Sequence, residues 1–193
     1  MGKIIIIIGA SGSGKSTVGK TLEREYGIKQ LVSYTSRPMR DGEVYGVDYY
    51  FLDRQMAKYN KIISVETTVY DGNIYGLTID EVESKRRDGN DVYFISDRDG
   101  AEEIKEWYSD EEIIVLWFDI SPWTMLTRMF KRGDSLIKAL KRVIHAYRKG
   151  EFNQPQGSYR VDANEYIDAK EIYNIINHEI NNIEFTKQKE KTK

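Results

Sequence analysis

The sequence contains no cysteine, only three prolines, and no apolar run long enough to cross a membrane. The absence of cysteine excludes disulfide bonds and thiolate chemistry but leaves the cellular compartment open. A run of isoleucines begins at Ile4, but it is too short for a membrane span or for the core of a signal peptide. The net charge at pH 7 is only −2, so no overall positive field recruits nucleic acid. We therefore expect a protein that binds neither membrane nor nucleic acid.

The charge that is present is unevenly distributed. Residues 121–150 include eight basic residues and one acidic residue, a net charge of +7, which leaves −9 for the rest of a chain whose total is −2. A solvated helix face usually mixes both signs. On charge alone, this segment is either an ordinary exposed surface or a surface that meets a polyanion.

The most specific motif follows the isoleucine run. Residues 9–16 read Gly-Ala-Ser-Gly-Ser-Gly-Lys-Ser and fit G-x-x-x-x-G-K-[ST] without a mismatch. Consecutive β-branched residues are typical of a central parallel strand, and the glycines let backbone N–H groups turn inward around phosphate oxygens at a helix N-terminus. The alternative, a flexible turn with Lys15 in water, is disfavoured by the strand–loop–helix context.

This motif predicts a nucleoside triphosphate site, in which Lys15 reaches the β- and γ-phosphates and the Ser16 hydroxyl binds Mg²⁺. A nucleotide partner also makes the cytoplasm the expected location. The residues that we expect to contact ATP are Gly9, Ala10, Ser11, Gly12, Ser13, Gly14, Lys15, Ser16 and Thr17.

The order of predicted elements indicates a single α/β domain of 193 residues, with a mainly parallel sheet of about five strands. Its core is expected over 1–32, 78–120 and 151–185, interrupted by a small antiparallel insertion over 33–77 and a helical lid over 121–150. The charged tail 186–193 is expected to be disordered. Among the predicted elements are strands over 28–33, 48–52 and 62–70, a hairpin turn at 71–72, a helix over 99–108 and a closing helix over 165–183.

Two acidic residues are candidates for the site. Asp97 ends an apolar strand, where a carboxylate faces the ligand crevice of a parallel sheet and could bind Mg²⁺ through water or an acceptor. The alternative is a helix-capping role, for which we expect Asp99 instead. Glu66 interrupts a β-branched strand and could accept from the adjacent N1–H and N2–H₂ donors of guanine; the alternative is an ordinary solvent-facing strand residue.

The insertion and the lid supply basic residues. Arg37 and Arg40 flank a proline, with Tyr49 and Tyr75 nearby, and guanidinium groups with phenolic hydroxyls are able to hold a phosphate. The basic lid helices would neutralise charge on a migrating phosphoryl group and exclude water. The two histidines, at positions 145 and 178, lie in helical patterns, and we expect surface or packing roles for both.

Together, these residues make the chain resemble the guanylate kinase family over nearly its whole length. Residues 33–51 (Ser-Tyr-Thr-Ser-Arg-Pro-Met-Arg-Asp-Gly-Glu-Val-Tyr-Gly-Val-Asp-Tyr-Tyr-Phe) are similar to the family's nucleoside-monophosphate segment, T-x-R-x-x-R-x-G-E-x-x-G-x-D-Y. Glu66 lies nine residues before Tyr75-Gly76, and Asp97 follows the next core strand. These agreements are far more specific than the phosphate loop, which many families share.

The resemblance implies transfer of phosphate from ATP to GMP or dGMP with Mg²⁺, by a monomer or a homodimer. It implies that Arg37, Arg40, Tyr49 and Tyr75 hold the acceptor phosphate, that Ser33 and Glu66 read the guanine edge, and that Asp97 lies near Mg²⁺ and the acceptor. Arg128, Arg132 and Arg142 match the catalytic lid arginines of the family, and Arg148 is a lid candidate from charge alone.

Two departures from the family pattern leave alternatives open. A small hydroxyl residue commonly follows the Tyr-Gly pair, but Leu77 stands here, with Thr78 as a substitute next to it. The chain could therefore be a kinase of the same fold acting on another nucleotide or small phosphate ester. A guanylate-kinase-like interaction domain is a further alternative, although Lys15 and the basic lid favour an enzyme. Residues 151–164 match the family poorly, and Asn164 is the candidate for the adenine side.

Overall fold

A computed structural model describes residues 2–70, 72–110 and 112–191. The strands are β1 (Ile4–Gly9), β2 (Lys29–Gln30), β3 (Tyr34–Thr35), β4 (Tyr50–Phe51), β5 (Ser64–Tyr70), β6 (Asn73–Thr78), β7 (Val92–Ile95), β8 (Ile113–Asp119) and β9 (Tyr159–Asp162). The helices are α1 (Lys15–Tyr26), α2 (Arg54–Asn60), α3 (Ile79–Arg86), α4 (Arg98–Lys105), α5 (Pro122–Lys131), α6 (Leu136–Arg148) and α7 (Ala169–Lys191). No helix in this part of the chain is both long enough and apolar enough to span a bilayer.

The main sheet has five strands in the order β2-β7-β1-β8-β9, and every neighbouring pair is parallel. This confirms the predicted α/β fold with a parallel sheet of about five strands. The isoleucines of β1 occupy the centre, where they are almost entirely buried. Because successive side chains of a strand point to opposite faces, Ile5 and Ile7 pack with α1 and the closing elements, whereas Ile4, Ile6 and Ile8 pack with β5 and α4.

A second sheet of four strands, in the order β4-β3-β6-β5, forms the predicted insertion. The hairpin β5–β6 and the pair β3–β6 are antiparallel, as expected, but β3 and β4 pair in parallel. The hairpin closes at Gly72, which has a φ of 73°, while its predicted partner Asp71 lies outside the described residues. β5 begins at Ser64 rather than at residue 62, because 61–63 form a 3₁₀ turn in which the Ser64 hydroxyl donates to the Asn60 carbonyl at 2.7 Å.

Several predicted boundaries differ from the structure. The expected strand 28–33 contributes only β2 to the main sheet, and the expected aromatic strand 48–52 reduces to β4. Helix α7 begins at Ala169 rather than at residue 165, because the Asp168 carboxylate accepts from the Lys170 N–H and so starts the helix there. Its backbone remains helical to Lys191 instead of ending in a disordered tail. This segment is rich in lysine, glutamate and glutamine, which are good helix formers; residues 192 and 193 lie outside the described part.

Helices α5 and α6 occupy the segment predicted as a lid, and Gly133 lies between them with a φ of 92°. Ser121 caps α5 and Ser135 caps α6. Met129 of α5 and both Ala139 and Val143 of α6 are buried in the same apolar cluster as β1. The lid is therefore packed against the rest of the domain, and its basic side chains extend from that packed base.

The buried centre of the main sheet should dominate stability. Leu116 is fully buried next to β1, so we expect Leu116→Ala to lower the free energy of unfolding by about 2–5 kcal/mol through lost burial and the remaining cavity. Ile137→Ala on α6 is the control, because Ile137 is 69% exposed, and it should cost less than about 1 kcal/mol. Urea unfolding checks both values, and equal losses would contradict the placement of the core.

Candidate active site

The glycine-rich loop joins the central strand to α1. Gly9, Gly12 and Gly14 all have positive φ values, which non-glycine residues rarely adopt. At Gly9 an added Cβ would also lie 2.6 Å from the carbonyl oxygen of Phe118 on β8. The loop therefore needs glycine both for its turns and for its close approach to the neighbouring strand.

Lys15 folds back over this loop. Its Nζ donates to the carbonyl oxygens of Gly9 at 2.5 Å and Ala10 at 3.0 Å. Burial lowers the pKa of Lys15 to about 8, and the negative charge of Glu151 offsets part of that decrease. An ammonium group held by weak neutral acceptors in a buried site is suited to receive phosphate oxygens, whose charge would favour its protonated form.

Two lid arginines lie beside the loop. A cavity of about 280 Å³ is lined by Gly12, Ser13, Gly14, Lys15, Ser16, Thr17, Arg128 and Arg132. Arg128 donates to the carbonyl oxygens of Gly12 at 3.1 Å and Glu165 at 2.9 Å, while Arg132 is paired with Asp134 at 2.5 Å. We call this space the donor cavity.

A second cavity, of about 430 Å³, lies between the two sheets, and we call it the acceptor cavity. It is lined by Ser33, Arg37, Arg40, Glu43, Tyr49, Glu66, Thr68, Tyr75, Phe94, Ile95, Ser96, Asp97 and Arg142. All seven residues predicted for the acceptor are therefore together, and the third lid arginine, Arg142, joins them. Arg148, in contrast, is exposed at the end of α6 and lines neither of these two cavities.

One wall of the acceptor cavity carries the predicted phosphate contacts. The Arg37 guanidinium lies over the rings of Tyr49 and Phe51, 5.5 and 5.6 Å from their centroids. The rings of Tyr49 and Tyr75 meet edge to face with their centroids 5.9 Å apart. Burial raises the pKa of Tyr49, so its hydroxyl keeps its proton and remains a donor. These groups form a ring of donors on one side of the cavity.

The acceptor cavity also contains an unusual carboxyl group. Glu66 is only 5% exposed, and burial, with the nearby charges of Glu103 and Asp97, raises its pKa to about 8. Gly100 of α4 makes this approach possible, since an added Cβ there would lie 3.0 Å from Glu66 Cγ and 2.2 Å from Ser96 Oγ. The surroundings of Glu66 disfavour its anion, so the carboxyl group is mostly protonated at neutral pH. A ligand that donates hydrogen bonds to both oxygens would favour its ionisation.

Asp97 has two roles that the sequence analysis treated as alternatives. It is the N-cap of α4, with its Oδ1 accepting from the Gly100 N–H at 2.9 Å, and it also lines the acceptor cavity. The prediction that Asp99 caps this helix was wrong, because α4 begins one residue earlier; the Asp99 carboxylate instead pairs with Lys149 at the end of the lid. Asp97 therefore has one oxygen committed to the helix while the group as a whole borders the cavity.

Comparison with known proteins decides the family. The family model described as guanylate kinase matches residues 1–178. The chain is 34% identical to the guanylate kinase of Chlorobaculum tepidum over 145 residues, covering 72% of this chain and 73% of that protein. It is also 34% identical to the guanylate kinase of Porphyromonas gingivalis over 148 residues, covering 74% and 78%.

The chain belongs to the guanylate kinase family. A crystal structure of guanylate kinase from Anaplasma phagocytophilum has the same fold, with a TM-score of 0.66 at 24% sequence identity, and the match covers 92% of this chain and 86% of that one. The recognition made from residues 33–51 is thereby confirmed.

The structure shows the surroundings of Leu77, the residue at which this chain departs from the family pattern. Leu77 is fully buried in the core and pairs with Glu66 across the hairpin, and it does not line the acceptor cavity. Thr78 does not replace the missing hydroxyl as expected, because its Oγ1 accepts from the Glu81 N–H as the N-cap of α3. Thr68 lines the cavity instead. Its position two residues after Glu66, on the same face of the strand, was the overlooked sequence signal.

Two further residues were missed, Glu43 and Glu151. Glu43 lines the acceptor cavity, and its place three residues after Arg40 could have suggested an ion pair. Glu151 follows the lid, its carbonyl oxygen accepts from Trp117 Nε1 at 3.0 Å, and its charge acts on Lys15. No local motif marks Glu151, since its neighbours come from β8 and the phosphate loop.

The donor groups present suit a metal that arrives with the nucleotide. Within the described residues, no group of three or more histidine, cysteine, aspartate or glutamate side chains is placed to hold a metal ion. Mg²⁺ commonly keeps several waters and binds through one or two protein oxygens together with substrate phosphates. Ser16 at the donor cavity and Asp97 at the edge of the acceptor cavity fit that pattern.

The remaining candidates are peripheral. The side chain of Asn164 accepts from the Ser121 N–H at 2.8 Å and from the Thr124 hydroxyl at 3.1 Å, while its carbonyl oxygen accepts from Arg128. It thus supports the lid next to the donor cavity, and its predicted contact with adenine stays a prediction. His145 and His178 are both exposed on their helices, consistent with surface roles.

Proposed function

We propose that this protein transfers the γ-phosphate of ATP to GMP or dGMP, giving ADP and GDP or dGDP. The observation that carries the proposal is the acceptor cavity, which brings seven predicted residues together in a chain of the guanylate kinase family. A third cavity of about 220 Å³ is lined by Ser16 of the phosphate loop and by Ser33 and Tyr49 of the acceptor wall. This third cavity shares lining residues with both the donor and the acceptor cavity, which supports direct transfer between them.

In this mechanism an oxygen of the acceptor phosphate attacks the γ-phosphorus, and the bond from that phosphorus to the β–γ bridging oxygen breaks. No protein base is needed, because the attacking phosphate oxygen is already ionised. Lys15 and the loop N–H groups hold the β- and γ-phosphates, and Arg128, Arg132 and Arg142 stabilise the charge that spreads over the migrating group. Mg²⁺, held by Ser16 and through water by Asp97, would supply further neutralisation when bound.

The acceptor is held at both ends. Arg37, Arg40, Tyr49 and Tyr75 surround its phosphate, while an ionised Glu66 accepts from guanine N1–H and N2–H₂. Ser33 lines the same cavity, and we assign it a contact with the base. Because Leu77 replaces the small hydroxyl residue of the family pattern, fewer hydroxyl groups are available to the base, and another nucleotide remains the alternative acceptor. We place the protein in the cytoplasm, where both nucleotides occur.

A coupled assay of ADP release tests the proposal, with ATP, Mg²⁺ and each common nucleoside monophosphate in turn. We expect GMP and dGMP to be the preferred acceptors. Preference for another monophosphate would support the same fold acting on a different substrate and would replace the guanine assignment. No turnover above background with any acceptor would refute the kinase proposal and leave the interaction-domain alternative.

Lys15→Ala should lower kcat by about 10²–10³-fold, because a buried cation aimed at the transferring phosphate is lost. Lys29→Ala is the matched control, since Lys29 is exposed on β2 and lines neither the donor nor the acceptor cavity. Steady-state kinetics at saturating GMP measure both variants. An unchanged kcat for Lys15→Ala would show that this lysine does not stabilise the transition state.

The raised pKa of Glu66, about 8 in the free protein, predicts a pH dependence. Binding of guanine requires the carboxylate, so below pH 8 the acceptor must first displace a proton. The KM for GMP should therefore fall as pH rises from 6.5 to 8.5, approaching tenfold per unit at the acidic end. A phosphate ester with a pKa near 6 is largely ionised throughout this range.

The Glu66→Gln variant is the control for this pH profile. It should bind GMP weakly at every pH and lose the slope, because the amide does not titrate. Measurement at saturating ATP keeps Lys15 protonated by the bound phosphates and separates the two groups. A wild-type KM that is flat across this range would contradict the assignment of Glu66 to the base.

A further inference from the structure

Glu43 connects the two arginines that the proposed function assigns to the acceptor phosphate. Its Oε1 accepts from Arg37 Nη2 at 2.7 Å, and its Oε2 accepts from Arg37 Nη1 at 3.0 Å. The same Oε2 accepts from the backbone N–H of Arg40 at 2.7 Å. One carboxylate thus binds the guanidinium of the first arginine and the main chain of the second.

This arrangement leaves Arg37 few free donors. A guanidinium has five N–H groups, and those of Nη1 are directed at Glu43 and at the Pro38 carbonyl oxygen, the latter at 2.7 Å. One N–H of Nη2 is also committed to Glu43. The side chain of Arg37 is only 10% exposed and lies against two aromatic rings. Arg37 is therefore fixed in orientation, with at most two N–H groups left for a phosphate.

Arg40 is different. It is exposed, and among the described residues its guanidinium has no hydrogen-bond partner. The three charges of Arg37, Arg40 and Glu43 sum to +1, which is less than the charge of a phosphate dianion requires for neutralisation. The two arginines are unequal: Arg37 is a buried, paired part of the cavity wall, whereas Arg40 is an exposed cation at its edge.

We propose that Glu43 is a positioning residue for the acceptor phosphate, which fixes Arg37 in the wall of the cavity so that Arg37 and Arg40 meet the phosphate from set directions. This inference rests on the proposed function, since it concerns the same acceptor site. Bidentate pairing orients a guanidinium far more strictly than a single contact. Preorganisation of this kind lowers the cost of binding rather than the barrier of the chemical step.

The first test is the Glu43→Gln variant. The amide retains the size of the side chain but has one acceptor oxygen, so it cannot accept from both nitrogens of Arg37 and from Arg40. We expect the KM for GMP to rise about 10- to 100-fold, as for the loss of one or two charged hydrogen bonds, with kcat changed less than about threefold and the KM for ATP unchanged. Asp41→Asn is the matched control, because it removes the same charge from an exposed position in the same loop.

Three kinetic results would overturn the proposal. An unchanged KM for GMP would show that Arg37 needs no fixing, and a lower KM would show that Glu43 competes with the acceptor for the arginines. A double-mutant cycle with Arg37→Ala identifies the route: if Glu43 acts through Arg37, adding Glu43→Gln to Arg37→Ala should change the KM less than about twofold. Fully additive effects would indicate a merely structural contribution.

A spectroscopic measurement separates this inference from the proposed function. Side-chain NMR of the Arg37 guanidinium should resolve distinct Nη signals in the wild type and in Asp41→Asn, because the bidentate pair hinders rotation. The signals should merge in Glu43→Gln. If the wild type phosphorylates no nucleotide but these signals behave as expected, the kinase proposal fails while the fixing of Arg37 stands. Merged signals in the wild type would refute the fixing even in an active enzyme.

Discussion

The burial of one strand determines where everything else in this molecule lies. β1 is almost wholly inaccessible between β7 and β8, and its last residue is Gly9, pressed against the carbonyl of Phe118. Because the strand is packed on both faces and hydrogen-bonded on both edges, the loop that follows it has a rigid base. The phosphate-binding backbone is thus held by the core of the domain, and the adaptable parts of the site are attached around it.

Burial also sets the charge states at the two ends of the site. Lys15 and Glu66 are of opposite sign, and for both the low-dielectric surroundings favour the neutral form, which moves both pKa values to about 8. Without ligand, neither group is well compensated by its neighbours. Under the proposed function, bound phosphates would favour the charged form of Lys15, and the donors of guanine would favour the charged form of Glu66. Perturbed pKa values of this kind are common at functional sites.

Features encoded by contiguous residues could be predicted from the sequence, whereas features that depend on contacts between distant residues could not. The isoleucine run, the glycine-rich loop and residues 33–51 are each contiguous in sequence. They predicted the central strand, the phosphate loop and four residues of the acceptor cavity, Ser33, Arg37, Arg40 and Tyr49. Helix boundaries that depend on a single capping contact were harder to predict. Helix α4 begins at Arg98 because Asp97 is its N-cap, and Thr78 is the N-cap of α3. Glu151 comes near Lys15 only through the fold of residues 151–164, for which no pattern in the sequence was informative.

The three arginines predicted to act from the lid are divided between the two cavities. Arg128 and Arg132 border the donor cavity, whereas Arg142, on the next helix, borders the acceptor cavity. Helices α5 and α6 share a buried seam that includes Met129, Ala139 and Val143, so the two sets of arginines move as one body if the lid moves. Under the proposed function, these arginines neutralise charge on both sides of the migrating phosphoryl group. That role would give a direct physical reason for the segregation of eight basic residues into one segment, because ATP and the acceptor nucleotide are both anions.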